Sequence, residues 1–146
     1  MDVLLSALHP ALVHFPVAFI YLLFICDVLY AYRKSLFYQQ AGYYLVIAIW
    51  IILLPTFATG LIAGDGLKES VIGGHRLWGI ILFIFMSFYA LFRLYVAHAH
   101  LRLPVVKCLL SFLLVIMATI TANLGGMVSH GETVYSLIRE QFQVDN

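Results

Sequence analysis

Four of the six histidines stand in three short motifs that also carry glycine or proline: His9 and His14 in HPALVHFP, His75 in GGHRLWG and His130 in NLGGMVSHG. Imidazoles brought from different helices to the middle of a bundle can hold a b-type haem, one ring on each face of the iron. Three or four of them can instead hold copper or zinc. Four histidines could serve two haems, or one haem and a second site. A haem carries propionates, and Arg76 and Lys68 are the nearest cations to these motifs in the chain. Glycine costs helix stability, about 1 kcal/mol against alanine. It also permits the close approach of another backbone or a flat ligand, so Gly74, Gly79 and Gly126 are read as space around a cofactor. Glu132 is the one carboxylate beside the four histidines, which makes a mixed carboxylate site the weaker reading. Taken singly, each histidine has a plainer explanation as an interfacial ring with its nitrogens in water.

These residues need elements to hold them, and composition sets what those elements are. Of the 146 residues, 64% are apolar and 10% charged, far from the averages of a soluble domain. Apolar runs at about 11–32, 41–62, 77–97 and 104–124 each reach the roughly 20 residues that cross a bilayer as helix. The connections between them, RKSLFYQQ, AGDGLKESVIGGHR and HAHLR, are short. The expected fold is therefore all-α, a single integral membrane four-helix bundle over residues 1–146 with antiparallel neighbours. Met1-Asp2 offers no basic leader region, so the first run is expected to be a permanent anchor.

Arg33, Lys34, Arg93, Arg102 and Lys107 fall on one side of the expected bundle, with Asp27 the only acid there; Lys68, Arg76 and Arg139 fall on the other, with the remaining six acids. The positive-inside bias puts the first side in the cytoplasm and both termini outside. The expected place is a bacterial inner membrane, with both termini periplasmic and the chain crossing several times. His9, His14, His75 and His130 then share the outer end. The charges form no nucleic-acid patch.

Helical periodicity refines the site. Thr119, Asn123, Met127 and His130 share a face if the fourth helix continues through Gly125 and Gly126, giving a polar track into the bundle. His75 and Gly79 share a face that Met86 and Ala90 extend. Pro10 suits a helix start, which puts His9 in the preceding loop and points His14 into the bundle, with Pro16 stiffening the turn. Five residues apart on a helix, the two rings would diverge by roughly 140° and not chelate one ion. Asp27 is expected to pair with Arg33, Lys34 or Arg93, and Tyr30, Tyr32, Tyr38, Tyr43 and Tyr44 to form an interfacial belt. His98 and His100 read as interfacial. Cys26 and Cys108 read as buried thiols, and GETVYSLIREQFQVDN as a short amphipathic surface helix. No internal repeat is evident. There is no phosphate loop, nucleophile elbow or H-E-x-x-H, and no mid-membrane acid of the kind a proton-coupled transporter needs.

HPALVHFPVA, GHRLWGI and NLGGMVSHGE resemble the three motifs of the bacterial membrane family called domain of unknown function 2231. The ending is similar to a branch in which the domain is joined to c-type cytochrome modules. The resemblance implies an electron-transfer setting on the outer side of the membrane and marks His9, His14, His75 and His130. Asn123 departs from that branch, which has a histidine there. The expected function is that of a haem b electron-transfer protein or subunit, more than a stand-alone enzyme. It would hold one or two haems and pass electrons between a carrier such as quinol and an outer-side cytochrome, a separate subunit. The expected ligands are His9, His14, His75 and His130; Arg76, Gly74, Gly79, Gly126 and Asn123 surround the cofactor. Two alternatives stand beside it: a non-catalytic accessory subunit of a larger respiratory or photosynthetic complex, and a copper- or zinc-binding membrane protein. Lipid, other membrane or periplasmic cytochrome subunits and possible quinone contact are the expected partners, with no nucleic acid.

Overall fold

The computed structural model describes residues 8–64 and 69–143, with side chains over 8–64 and 72–128. Asp65 and Lys68 lie outside the described residues, as do the side chains of His130, Glu132 and the rest of the tail. Four long helices account for most of the described residues: α1 (His14–Arg33), α2 (Leu36–Ala63), α3 (Glu69–His98) and α4 (Pro104–Gln143). Residues 8–12 are also helical. Backbone bonds from Val13 N–H to His9 O and from Val17 N–H to Val13 O carry that turn into α1, so the apolar span runs Leu8–Arg33.

The segment expected to link the first two spans is mostly helix. Lys34 takes a left-handed conformation, φ 54°, and donates its N–H to Tyr30 O, closing α1; Ser35 is extended and α2 begins at Leu36. His100, φ 53°, turns the α3–α4 connection in a similar way. The tail is not a separate surface helix, because α4 passes through Gly125 and Gly126 unbroken to Gln143. Without a proline, and with no positive-φ residue after His100 among those described, nothing there stops the helix.

All four helices contain a stretch long and apolar enough to cross a membrane. They pack in a ring, α1 against α2 and α4, and α3 against α4 and α2; across the α1–α3 diagonal the described backbones stay apart and side chains bridge the gap. Ile20, Leu23, Val46, Ile49, Leu82, Met86 and Leu114 fill the centre. Phe15, Phe37, Phe88, Leu91 and Leu109 face outward among many other large apolar side chains. That distribution is what lipid contact produces, since hydrocarbon tails solvate such side chains as well as a core does.

Of the tyrosines expected in an aromatic belt, Tyr32 and Tyr44 are exposed, but Tyr30 is 5% exposed and belongs to a buried polar cluster. Cys26 is buried and Cys108 half-buried, both as free thiols. His98 and His100 are exposed.

Candidate functional site

At the end of the bundle where α1 begins, two imidazoles meet. His9, from the helical turn before α1, and His75, from the second turn of α3, have ring centres 6.1 Å apart with planes at 69°. They therefore face each other across the α1–α3 diagonal, along which the two backbones stay apart.

Each ring is fixed by the helix that follows its own. His9 Nδ1 donates to Thr56 O on α2 at 3.0 Å, and His75 Nδ1 donates to Thr121 O on α4 at 3.0 Å. A carbonyl carries no proton, so each Nδ1 must bear the ring's hydrogen, and in the neutral ring Nε2 keeps its lone pair. Thr59 Oγ1, 3.4 Å from His9 Nδ1, also accepts, because its own hydroxyl proton points at Pro55 O and Thr56 O. Anchoring one ring nitrogen on a backbone carbonyl is how proteins orient the other toward a metal.

Glycine makes these bonds possible. One helical turn beyond Thr56 stands Gly60, and one turn beyond Thr121 stands Gly125. A Cβ at Gly60 would lie 2.7 Å from His9 Cε1, and one at Gly125 would lie 2.9 Å from His75 Cε1. Each ring lies on the bare backbone and reaches the carbonyl that a side chain would cover. The hairpins α1–α2 and α3–α4 therefore repeat one device, histidine on the first helix and Thr-x-x-x-Gly on the second, with histidine-to-threonine separations of 47 and 46 residues.

The remaining expected residues fall elsewhere. His14 is exposed and donates from Nδ1 to Pro10 O at 2.7 Å, so it does not point into the bundle. The helix starts before Pro10, which brings His9 inward and turns His14, five residues on, outward. Thr119, Asn123 and Met127 are exposed, so their face of α4 looks away from the core. The hydroxyl of Thr119 donates to Val115 O and accepts from Tyr21 at 2.6 Å. The α3 stripe does face inward, with Met86 and Ala90 buried below His75. Gly79 meets nothing within 4 Å of a would-be Cβ, and Gly74 meets only Leu124 at 3.9 Å, so neither makes a close approach. Gly126 is likewise open at its Cβ position. Arg76, beside His75, donates to Gly64 O at 3.3 Å across the mouth. No group of three or more histidine, cysteine, aspartate and glutamate side chains converges among the described residues.

The opposite end carries a second polar cluster. Arg93 Nη1 donates to Asp27 Oδ1 at 2.5 Å, and Tyr89 donates to Asp27 Oδ2 at 2.9 Å. Of the three cations offered to Asp27, it is Arg93 that pairs with it. Gly42 admits this pair, since a Cβ there would lie 2.6 Å from Arg93 Nη2. His9 and His75 are separated along the chain as Asp27 and Arg93 are, by 66 residues. Both pairs thus join matching levels of α1 and α3, a repeat that residue identity conceals.

Residues 5–136 match a protein family described as a predicted membrane protein, DUF2231. The chain belongs to this family. No curated protein and no solved structure matches it. The family match spans both hairpins and includes His9, Thr56, Gly60, His75, Thr121 and Gly125, so the paired device lies within the shared domain.

Proposed function

We propose that the chain is a membrane electron-transfer protein in which His9 and His75 hold the iron of a b-type haem. The observation that carries this reading is the pair itself: two imidazoles from diagonally opposed helices, each with Nδ1–H tied to a carbonyl and Nε2 left as a lone-pair donor. The spacing supports it. A metal–nitrogen bond is about 2 Å and a ring nitrogen sits roughly 1 Å from its ring centre, so two imidazoles that hold one metal would have centres up to about 6 Å apart. The rings stand at 6.1 Å.

The iron would supply one-electron exchange. The chain's own part is orientation: Thr56 O and Thr121 O fix the tautomers, Gly60 and Gly125 seat the rings, and Arg76 stands at the mouth as a cation for a propionate. By the positive-inside bias this mouth faces the periplasm and the Asp27–Arg93 end faces the cytoplasm of a bacterial inner membrane. Electrons would pass between a membrane carrier such as quinol and an outer-side cytochrome. A single copper or zinc ion on the same pair is the second reading, favoured by the same 6.1 Å spacing.

A reduced-minus-oxidised absorption spectrum of detergent-purified protein made with haem available tests the proposal. Sharp α and Soret bands, lost in His9→Ala and His75→Ala and kept in His14→Ala, are expected. A flat spectrum from folded protein rejects the haem, and copper or zinc in the same sample would establish the second reading.

A further inference from the structure

At the end opposite the histidines, a pocket of about 190 Å³ opens between α2 and α3, with Gln39, Gln40 and Tyr43 on one side, Arg93 and Ala97 on the other and Lys107 of α4 reaching it from below. We propose that this pocket binds a phosphate-bearing anion, held by Lys107 and Arg93. Such a site is independent of any haem at the opposite end.

Charge is the first ground. Asp27, Arg93 and Lys107 are 1%, 3% and 4% exposed, so the buried cluster has two cations and one carboxylate. Both Asp27 oxygens are occupied, one by Arg93 and one by Tyr89. The Lys107 ammonium lines the pocket, with the Tyr30 ring 5.5 Å from Nζ and Asp27 as the one carboxylate it shares with Arg93. One carboxylate shared by two cations leaves the cluster with a net positive charge, which is costly inside a membrane bundle. An aromatic face offsets only part of that cost. One negative charge in the pocket would balance the cluster.

The lining is the second ground. Glutamine amides and a tyrosine hydroxyl offer neutral donors around the two cations, and phosphate oxygens accept from all of these. The volume exceeds the roughly 30 Å³ of one water several-fold, which admits a phosphate group and part of its ester. Arg33, Lys34 and Arg102, exposed at the same end, raise the local concentration of anions. Ala97 is exposed at the rim, so the pocket communicates with the outside between two helices, where a lipid headgroup could enter as readily as a free phosphate.

The test uses the full chain, delipidated in neutral detergent. Native mass spectrometry counts retained phosphatidylglycerol against phosphatidylcholine at equal concentration, and inorganic phosphate is titrated while Tm is followed. Expected is one phosphatidylglycerol per chain, favoured at least tenfold over phosphatidylcholine, or a rise in Tm with phosphate. Either response should be lost tenfold or more in Lys107→Met and in Ala97→Phe, which fills the rim, and kept in Lys107→Arg. Retention of phosphatidylglycerol without a phosphate response assigns the anion to lipid; a phosphate response without lipid selectivity assigns it to free phosphate. Equal retention of both lipids with no phosphate response, or a response that survives in folded Ala97→Phe, overturns the proposal.

Discussion

Replacing Asp27 with alanine is expected to destabilise the bundle more than any other single change at the Asp27–Arg93 cluster. The carboxylate and the Arg93 guanidinium are each 2% exposed at the side chain and 2.5 Å apart. Removing one partner of such a pair costs about 3–5 kcal/mol, because the other charge stays buried and uncompensated. Asp27→Ala strands two cations, Arg93 and Lys107, and takes the nearer acceptor from Tyr89, which keeps only Lys107 O at 3.3 Å; the upper part of that range, about 4–5 kcal/mol, is expected. Arg93→Ala leaves the carboxylate beside Lys107 and Tyr89, so about 3 kcal/mol is expected. Asp27→Leu with Arg93→Met, which removes both charges at similar volume, should fall within about 1–2 kcal/mol of wild type. Denaturant-induced unfolding in mixed micelles, followed by helical circular dichroism, measures all three. A loss below about 1 kcal/mol for Asp27→Ala, or single effects that simply add in the double variant, would refute the view that these side chains act as one buried charged unit.

The seated rings give a graded set at three glycines. Gly60→Ala and Gly125→Ala should each destabilise by about 1–3 kcal/mol through overpacking, outweighing the roughly 1 kcal/mol that alanine gains over glycine in a helix. Gly79→Ala, open at its Cβ position, should be neutral or stabilising by up to about 1 kcal/mol, and equal unfolding midpoints for all three would contradict the seating. Tyr89→Phe removes one donor from Asp27 and should cost about 1–2 kcal/mol in the same unfolding assay, as a hydrogen bond to a charged group does. Leu23→Ala, at a fully buried core position, should cost about 2 kcal/mol, the low end for leucine truncation, since lipid already solvates apolar groups in the dispersed helices.

Composition and run length were enough to foresee four membrane-length helices, because hydrocarbon permits little else. The motifs also put His9 and His75 at one end, where they meet. What residue types could not reveal was which histidine of HPALVHFP turns inward. That depends on whether the helix begins at Pro10 or before it, and a shift of two residues exchanges the roles of His9 and His14. The glycines misled for a related reason. Gly74, Gly79 and Gly126 adjoin histidines in the chain, whereas Gly60 and Gly125 adjoin them in space, on the next helix. Thr56 and Thr121, each four residues before those two glycines, were the available signal, legible only once it is known which helices are neighbours. The 66-residue offset shared by the two α1–α3 pairs was present as well, but a repeat that exchanges aspartate for arginine leaves no similarity to detect.

Between the two polar ends lies an apolar plug of Ile20, Leu23, Val46, Ile49, Leu53, Leu82, Met86 and Leu114. Such a plug is an insulator. Water, protons and ions have no stepping stones along the bundle axis through that layer, so the protein should leave the membrane potential intact. The histidine end and the charged end are in that sense electrically separate compartments.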